Sequence, residues 1–463
     1  MAMNLSEKKF LEQAEAIAFD REHRRRLLFN IGRYDEAVER GKAFYHNLAL
    51  ARERAAFIRM KTLLNLDKLL IDFESRMTAR GAKVIWAPDA TEAVNHVIDI
   101  LNKGAVSEVV KSKSMASEEL ELNHELEKAG IQPVETDLGE FIVQQRGEKP
   151  YHIVTPAMHL SKEDVASLMH KRFGLSPSST PIEITAWVRK HLRDKFARAE
   201  AGITGANFLI ADPGAIAVTE NEGNGVFSLS ARKIHIVIAG IEKLIPTLED
   251  LDLFWPLLAV HGTGQNITVY NTLVTGPAQE GENGGPQEMY VILLNNGRTN
   301  VLAKNPQRRA LTCIRCGACL NACPIYKNVG GYTYDTTYTG PIGSVITPHM
   351  RGMQNYGHLS FASTLCGKCT EVCPVKIPLH EYLLYNRYEA VKAGYTDSKW
   401  KNAIKISQWV LRKPSLLDAG KPWLKRWAMK NFVAPLWGKR RELPPLPEAG
   451  FRKQWLKDRE DNH

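Results

Sequence analysis

All seven cysteines of this 463-residue chain lie between Cys313 and Cys373, in two tight groups that each end in a proline. The first runs Cys313-Ile-Arg-Cys316-Gly-Ala-Cys319-Leu-Asn-Ala-Cys323-Pro324 and the second Cys366-Gly-Lys-Cys369-Thr-Glu-Val-Cys373-Pro374. Two-residue gaps let successive thiolates curl around one face of a compact, multi-metal object. Gly317 and Ala318 allow the backbone to come close enough for its N–H groups to reach inorganic sulfide. The three-residue gap before Cys323 turns that side chain to the far side of the loop, and Pro324 and Pro374 fix φ just past the ligand. This is the C-x2-C-x2-C-x3-C-P run of bacterial-type iron–sulfur proteins, whose fourth cysteine crosses to a second cluster. By that crossing, Cys313, Cys316, Cys319 and Cys373 hold a first cluster, and Cys323, Cys366 and Cys369 are left for a second.

Two full motifs would need eight thiolates. The missing one falls on Ser363, one x2 gap before Cys366. A second site with three thiolates suits a three-iron cluster, or a four-iron cluster whose last iron takes the Ser363 oxygen or water. Structural zinc prefers paired C-x2-C knuckles to so dense a run. A disulfide framework does not suit a chain whose other residues include no cysteine, a pattern of reducing compartments. Arg315 and Lys368 lie inside the loops, where positive charge would favour the reduced, more negative cluster.

Hydrophobic content of 44% and charged content of 24% are those of an ordinary soluble protein, and the length allows two or three domains. No run of eighteen apolar residues exists, and residues 1–20 have no apolar segment of the kind that marks a secretory signal. The expected location is therefore the cytoplasm. The net charge of +10 is concentrated in one place: residues 398–463 hold 16 Lys and Arg against 6 Asp and Glu, and the rest of the chain is balanced. The same tail holds Trp400, Trp409, Trp423, Trp427, Trp437 and Trp455, six of the nine tryptophans. A basic, Trp-rich segment fits a docking surface for an acidic partner, or peripheral contact with the inner membrane face. It equally fits a helical appendage whose tryptophans pack on the body. No nucleic-acid motif accompanies the charge.

Residues 5–80 read as long charged helices, with Leu63, Leu64, Leu66, Leu69, Leu70 and Phe73 as an apolar stripe. From Gly81 strands and helices alternate, predicting an α/β domain with a largely parallel sheet over 81–300. Its strands are expected at 82–87, 107–110, 208–211, 215–218, 233–239 and 290–294, the last closing the sheet before a linker over 295–306. The cysteine region, 301–391, predicts helices bridging the ligand loops, and 392–463 forms the tail, with an extended stretch at Pro444–Pro447. No G-x-G-x-x-G opens a βαβ unit and no G-x4-G-K-[ST] loop is present, so nucleotide binding by those means is not expected. His349, His358 and His380 lack zinc-ligand spacing and read as surface or packing residues.

The two cysteine stretches, the Gly340-Pro-Ile-Gly343 loop between them, and the stretches Lys111-Ser-Lys-Ser-Met115, Gly202-Ile-Thr-Gly205 and Asn221-Glu-Gly-Asn224 together resemble the lactate utilization protein B family. The resemblance covers the whole chain. It implies an α/β lactate-utilization (LUD) domain, similar to the NagB/RpiA/CoA-transferase-like fold, followed by an α-helical ferredoxin-like domain with two 4Fe-4S clusters on the seven cysteines. It also implies an electron-transfer role in oxidising L-lactate to pyruvate, beside two companions, a cysteine-rich protein and a LUD-only protein. Electron transfer for another 2-hydroxy acid is a related reading. A further alternative makes the LUD-like domain itself an enzyme, with Lys111, Lys113, Glu220 and Glu222 as acid–base or anion-binding candidates. The simpler reading of those four is that they cap helices and solvate turns.

Overall fold

The computed structural model describes residues 4–282, 284–396, 398–413, 422–434, 442–443, 445, 447 and 450–460. Asn4–Tyr395 form one compact unit. It opens with four helices, Leu5–Ala18, Arg21–Lys42, Leu48–Leu64 and Leu66–Ala79, where long charged helices are predicted, and the apolar stripe from Leu63 to Phe73 crosses the break at Asn65. Asn4, Asp20 and Asn47 cap the first three through side-chain oxygens that accept N–H bonds from Glu7, His23 and Leu50. Leu63, Leu66, Leu70 and Phe73 are buried, whereas Leu64 is exposed.

Ten strands follow: β1 Lys83–Ala87, β2 Glu108–Lys111, β3 Gln132–Glu135, β4 Ala201–Thr204, β5 Phe208–Asp212, β6 Ala215–Glu220, β7 Ile234–Gly240, β8 Leu244–Thr247, β9 Tyr270–Val274 and β10 Glu288–Leu294. Six of them build a wholly parallel sheet in the order β1-β10-β7-β4-β2-β3. Every residue of β4 and β7 is buried. Continuous apolar strands of this kind belong in a parallel sheet covered on both faces. β10, the last strand in sequence, enters the interior of the sheet between β1 and β7.

The strands expected at 208–211 and 215–218 leave this sheet. They form the β5–β6 hairpin of a second sheet, ordered β8-β5-β6-β9, with β8 parallel to β5 and the other pairs antiparallel. The Asp212-Pro213-Gly214 turn is too short for anything but an antiparallel return. β4 escaped the sequence reading because Gly202 and Gly205 suggest a loop. Its glycine has a packing reason: a Cβ on Gly202 would lie 1.8 Å from the Ser228 carbonyl oxygen, where helix Asn224–Leu229 crosses the strand.

The chain order within the parallel sheet diverges at one point. From β2 the chain moves outward to β3, and from β4 it moves the other way, to β7 and then β10. Loops leaving the carboxyl ends of β2 and β4 therefore part, which leaves a crevice at the switch point.

After β10 the described residues to 395 contain no strand. Helices Ala318–Ala322, Gly340–Arg351, Lys368–Glu371 and Leu379–Lys392 bridge the cysteine loops, as expected. The stretch read as a linker, 295–306, is instead packed. It contains helix Arg298–Leu302, with Arg298 almost completely buried in ion pairs. His349 is buried and hydrogen-bonded to Asn386 (2.8 Å), His380 to Thr370 (2.7 Å), and His358 packs on Phe10.

The tail from Thr396 belongs to a second unit and is described by itself. It carries helices Ser398–Leu411, Pro422–Ala428 and Phe451–Glu460, with Ile404, Trp409, Trp423, Trp427 and Trp455 exposed. Trp437 and Pro444 lie outside the described residues. No described helix is long and apolar enough to cross a membrane.

Candidate iron–sulfur centre and the adjoining cavity

The two cysteine loops are built alike, each position of the first having a counterpart fifty residues on. The residue before the second position of each loop, Cys316 or Cys366, has left-handed backbone in both: Arg315 at φ 62° and Leu365 at φ 55°. Gly317 (φ 79°) and Gly367 (φ 80°) follow that cysteine and start the short helices that carry Cys319 and Cys369. The Ala318 N–H donates to Cys316 and the Lys368 N–H to Cys366, while Ile325 and Val375 do the same for Cys323 and Cys373. At the first position, the Arg315 N–H donates to Cys313 Sγ (3.4 Å) and the Leu365 N–H donates to Ser363 Oγ (3.1 Å). Ser363 occupies in the second loop the place that Cys313 occupies in the first.

None of the seven thiols is in a disulfide; five are buried, Cys313 is half-buried and Cys366 is exposed. Cys316 and Cys319 feel the charges of Cys313 and Cys373, and Cys323, Cys366 and Cys369 are electrostatic neighbours of one another. Cys319 and Cys369 bring the two groups together. Burial pushes the Cys316, Cys319 and Cys323 thiols up, and Cys369 and Cys373 to about 11. Cys366 is pulled below its ordinary value, first by the Lys368 N–H. Free of metal, the buried thiols hold their protons, which binding must release. Seven soft sulfur donors, six of them with a backbone N–H aimed at the sulfur, fit a sulfide-containing cluster.

Buried charges tie the loops to the α/β body. Arg59 donates to the Thr312, Leu311, Leu244 and Glu242 carbonyls. Glu242, just past β7, accepts from Arg298 Nε (2.5 Å) and Arg315 Nη2 (3.1 Å). Burial alone would raise the Glu242 carboxyl, but the Arg298 and Arg315 charges outweigh it and hold it at about 2. The Arg315 guanidinium also lies 4.3 Å from the Tyr338 ring, and its Nε and Nη1 are buried without a hydrogen-bond partner. Lys368 is exposed and pairs with Glu371.

A cavity of about 570 Å3 occupies the crevice beyond β2 and β4. Ser112–Met115 after β2, Gly205–Asn207 after β4, and Lys243 after β7 line it, and so do Arg315 and Cys316. It thus joins the carboxyl ends of the parallel strands to one of the cysteine loops.

A family model described as a LUD domain matches residues 70–294, and one described as a 4Fe-4S dicluster domain matches 309–377. The lactate utilization protein B of Bacillus cytotoxicus is 41% identical over 418 residues, covering 88% of each chain. Those of Bacillus cereus and Bacillus anthracis are 40% identical with the same coverage. The chain belongs to the lactate utilization protein B family. Among solved structures, a DUF162-family protein from Deinococcus radiodurans aligns over 50% of this chain and 98% of its own, at 15% identity and a TM-score of 0.28. Membership of the family agrees with what the fold displays, a parallel α/β body followed by helices around clustered cysteines.

Of the family-type residues singled out in the α/β body, Lys111 is not available for chemistry. It is fully buried, paired with Glu135 (2.7 Å) and Glu118 (3.2 Å) and bonded to Ser117 (3.0 Å). Glu220 accepts the Gly225 and Val226 N–H groups and so caps helix Asn224–Leu229. Glu222 accepts from the Leu138 N–H at the cavity rim, and Lys113, on the cavity wall, donates to the Val154 carbonyl (2.7 Å). Sequence reading missed Lys243 and Glu242. Both sit in an apolar-flanked Gly-Ile-Glu-Lys-Leu run whose only signal is two charges between buried strands.

Proposed function

We propose that the chain is the iron–sulfur electron-transfer subunit of a system oxidising L-lactate to pyruvate, with Cys313, Cys316, Cys319 and Cys373 ligating one 4Fe-4S cluster and Cys323, Cys366 and Cys369 a second. When bound, such clusters supply two adjacent one-electron sites, which suits the stepwise removal of the two electrons of a 2-hydroxy acid. The observation that carries this reading is the arrangement of the thiols. One group reaches the cavity wall at Cys316, the other reaches solvent at Cys366, and Cys319 and Cys369 meet between them. The buried Arg315 charge beside Cys313 would favour the reduced state of the inner site.

Ser363 is the proposed fourth ligand of the outer site, since its Oγ receives the Leu365 N–H as Cys313 Sγ receives that of Arg315. The companions are a cysteine-rich protein and a LUD-only protein, and the basic tail is the docking segment for an acidic one of them. The reading is consistent with a cytoplasmic protein.

Mössbauer and EPR spectroscopy of the anaerobically purified chain, with and without lactate and the companion subunits, test this. Two four-iron centres reduced by lactate are expected, and a colourless protein with stoichiometric zinc would refute it. Ser363→Cys should keep the four-iron signal of the outer site, and Ser363→Ala should turn it into a three-iron signal. Unchanged spectra in Ser363→Ala would assign that corner to water.

A further inference from the structure

Electron relay between thiol-bound sites does not itself say what fills the cavity beside Cys316, yet its construction is that of a binding site. It lies where ligands of open parallel sheets bind, outside the carboxyl ends of the strands at the switch point. Its inner end is cationic. Arg298 is satisfied by Glu119 and Glu242, but Arg315 has only a share of Glu242, and two of its guanidinium nitrogens, in a side chain 6% exposed, have no acceptor. Lys243 makes no ion pair among the described residues. The outer carboxylates are already engaged: Asp137, Glu220 and Glu222 each accept backbone N–H bonds. Ile142, Val154, Ile238 and Leu258 give the remaining wall an apolar character.

We infer that this cavity binds an organic carboxylate, with the anionic head on Lys243 and Arg315 and an apolar body against the Ile142, Val154 and Leu258 wall. A half-buried ammonium outside any ion pair among the described residues, beside a guanidinium only partly paired with Glu242, favours an anion, because charge-assisted hydrogen bonds are the stronger ones. A volume of about 570 Å3 is that of sites for molecules well beyond three carbons. A molecule so bound would touch Cys316. Under the ligand assignment proposed above it would lie against the inner cluster and could exchange electrons with it.

The test uses the iron-loaded, anaerobic chain and isothermal titration with 2-naphthoate, a carboxylate with a flat apolar body. Its neutral analogue 2-naphthamide and the bare head, acetate, are the controls. Bound iron–sulfur would draw on Arg315 from the ligand loop, so the variant is Lys243→Gln, outside that loop. Naphthoate should bind one per chain and more tightly than either control, and Lys243→Gln should weaken it about tenfold. Ala206→Phe, which fills the cavity from the loop after β4 without altering charge, should abolish binding and keep the iron. No binding at about 10 mM naphthoate, equal binding of the amide, or binding unchanged in both variants would overturn the inference. Loss of naphthoate binding with iron intact leaves the cluster reading standing, whereas absence of iron strikes the cluster reading first.

Discussion

Lys111→Met distinguishes a structural lysine from a catalytic one. Lys111 is wholly buried, and its ammonium lies 2.7 Å from Glu135, itself 1% exposed, and 3.2 Å from Glu118. Methionine keeps most of the volume and removes the charge. Glu135 then keeps only the Asn123 amide on Oε1, and its Oε2 has no partner even now. Breaking a buried pair from one side costs about 3–5 kcal/mol, because the other charge stays buried. Burial already raises the Glu135 carboxyl, and without the lysine it should rise further. A group whose folded value is raised stabilises below its unfolded value and loses that contribution as pH climbs through the folded value. The deficit of the variant should therefore be largest near pH 7.5 and shrink toward pH 5.5, by up to about 1.4 kcal/mol for each pH unit spanned. Urea unfolding of the anaerobic chain, followed by far-UV circular dichroism at both pH values, reads this directly. A loss under about 1 kcal/mol, or one independent of pH, would refute the reasoning and return Lys111 to the candidates for chemistry.

Three other outcomes are expected. Gly202→Ala should cost more than about 3 kcal/mol or leave the chain insoluble, since its Cβ would meet the Ser228 carbonyl at 1.8 Å; a Tm within two or three degrees of wild type would contradict the β4 packing. Cys319→Ala and Cys366→Ala should each remove one EPR signal, and not the same one; loss of a common signal would contradict the two thiol groups. Deleting the residues after Ser398 should leave iron content unchanged while abolishing co-purification with the companion subunits, and retained co-purification would dismiss the tail as the docking segment.

The cysteine region was legible because its constraint is local. Spacing, glycine and proline set the loops, and the structure adds the repeated left-handed residues Arg315 and Leu365, which no propensity would have suggested. The N-terminal helices were legible as a class, from their charge and one apolar stripe, but not the break at Asn65 that divides that stripe. The α/β body was legible as a class but not as a sheet order. Short strands such as β3 and β4 carry Pro133 and Gly202, and both residues argue locally for loops. Burial on two faces makes them strands, and burial is settled only when distant segments meet.

The same distinction separates the two parts of the site. The seven cysteines come from two short stretches that repeat each other, and so they leave a spacing that can be counted. A cavity at a switch point draws its wall from the ends of β2, β4 and β7 and from the first cysteine loop, some two hundred residues apart. Nothing in the sequence links Lys243 to Arg315. Their proximity follows from β7 running parallel between β4 and β10, which delivers Lys243 and Glu242 to the same end of the sheet as the loop after β2. Glu242 then fixes Arg315 there by an ion pair, and by doing so leaves the rest of that guanidinium without an acceptor. The contact that anchors the cysteine loop to the sheet is therefore the one that makes the cavity cationic.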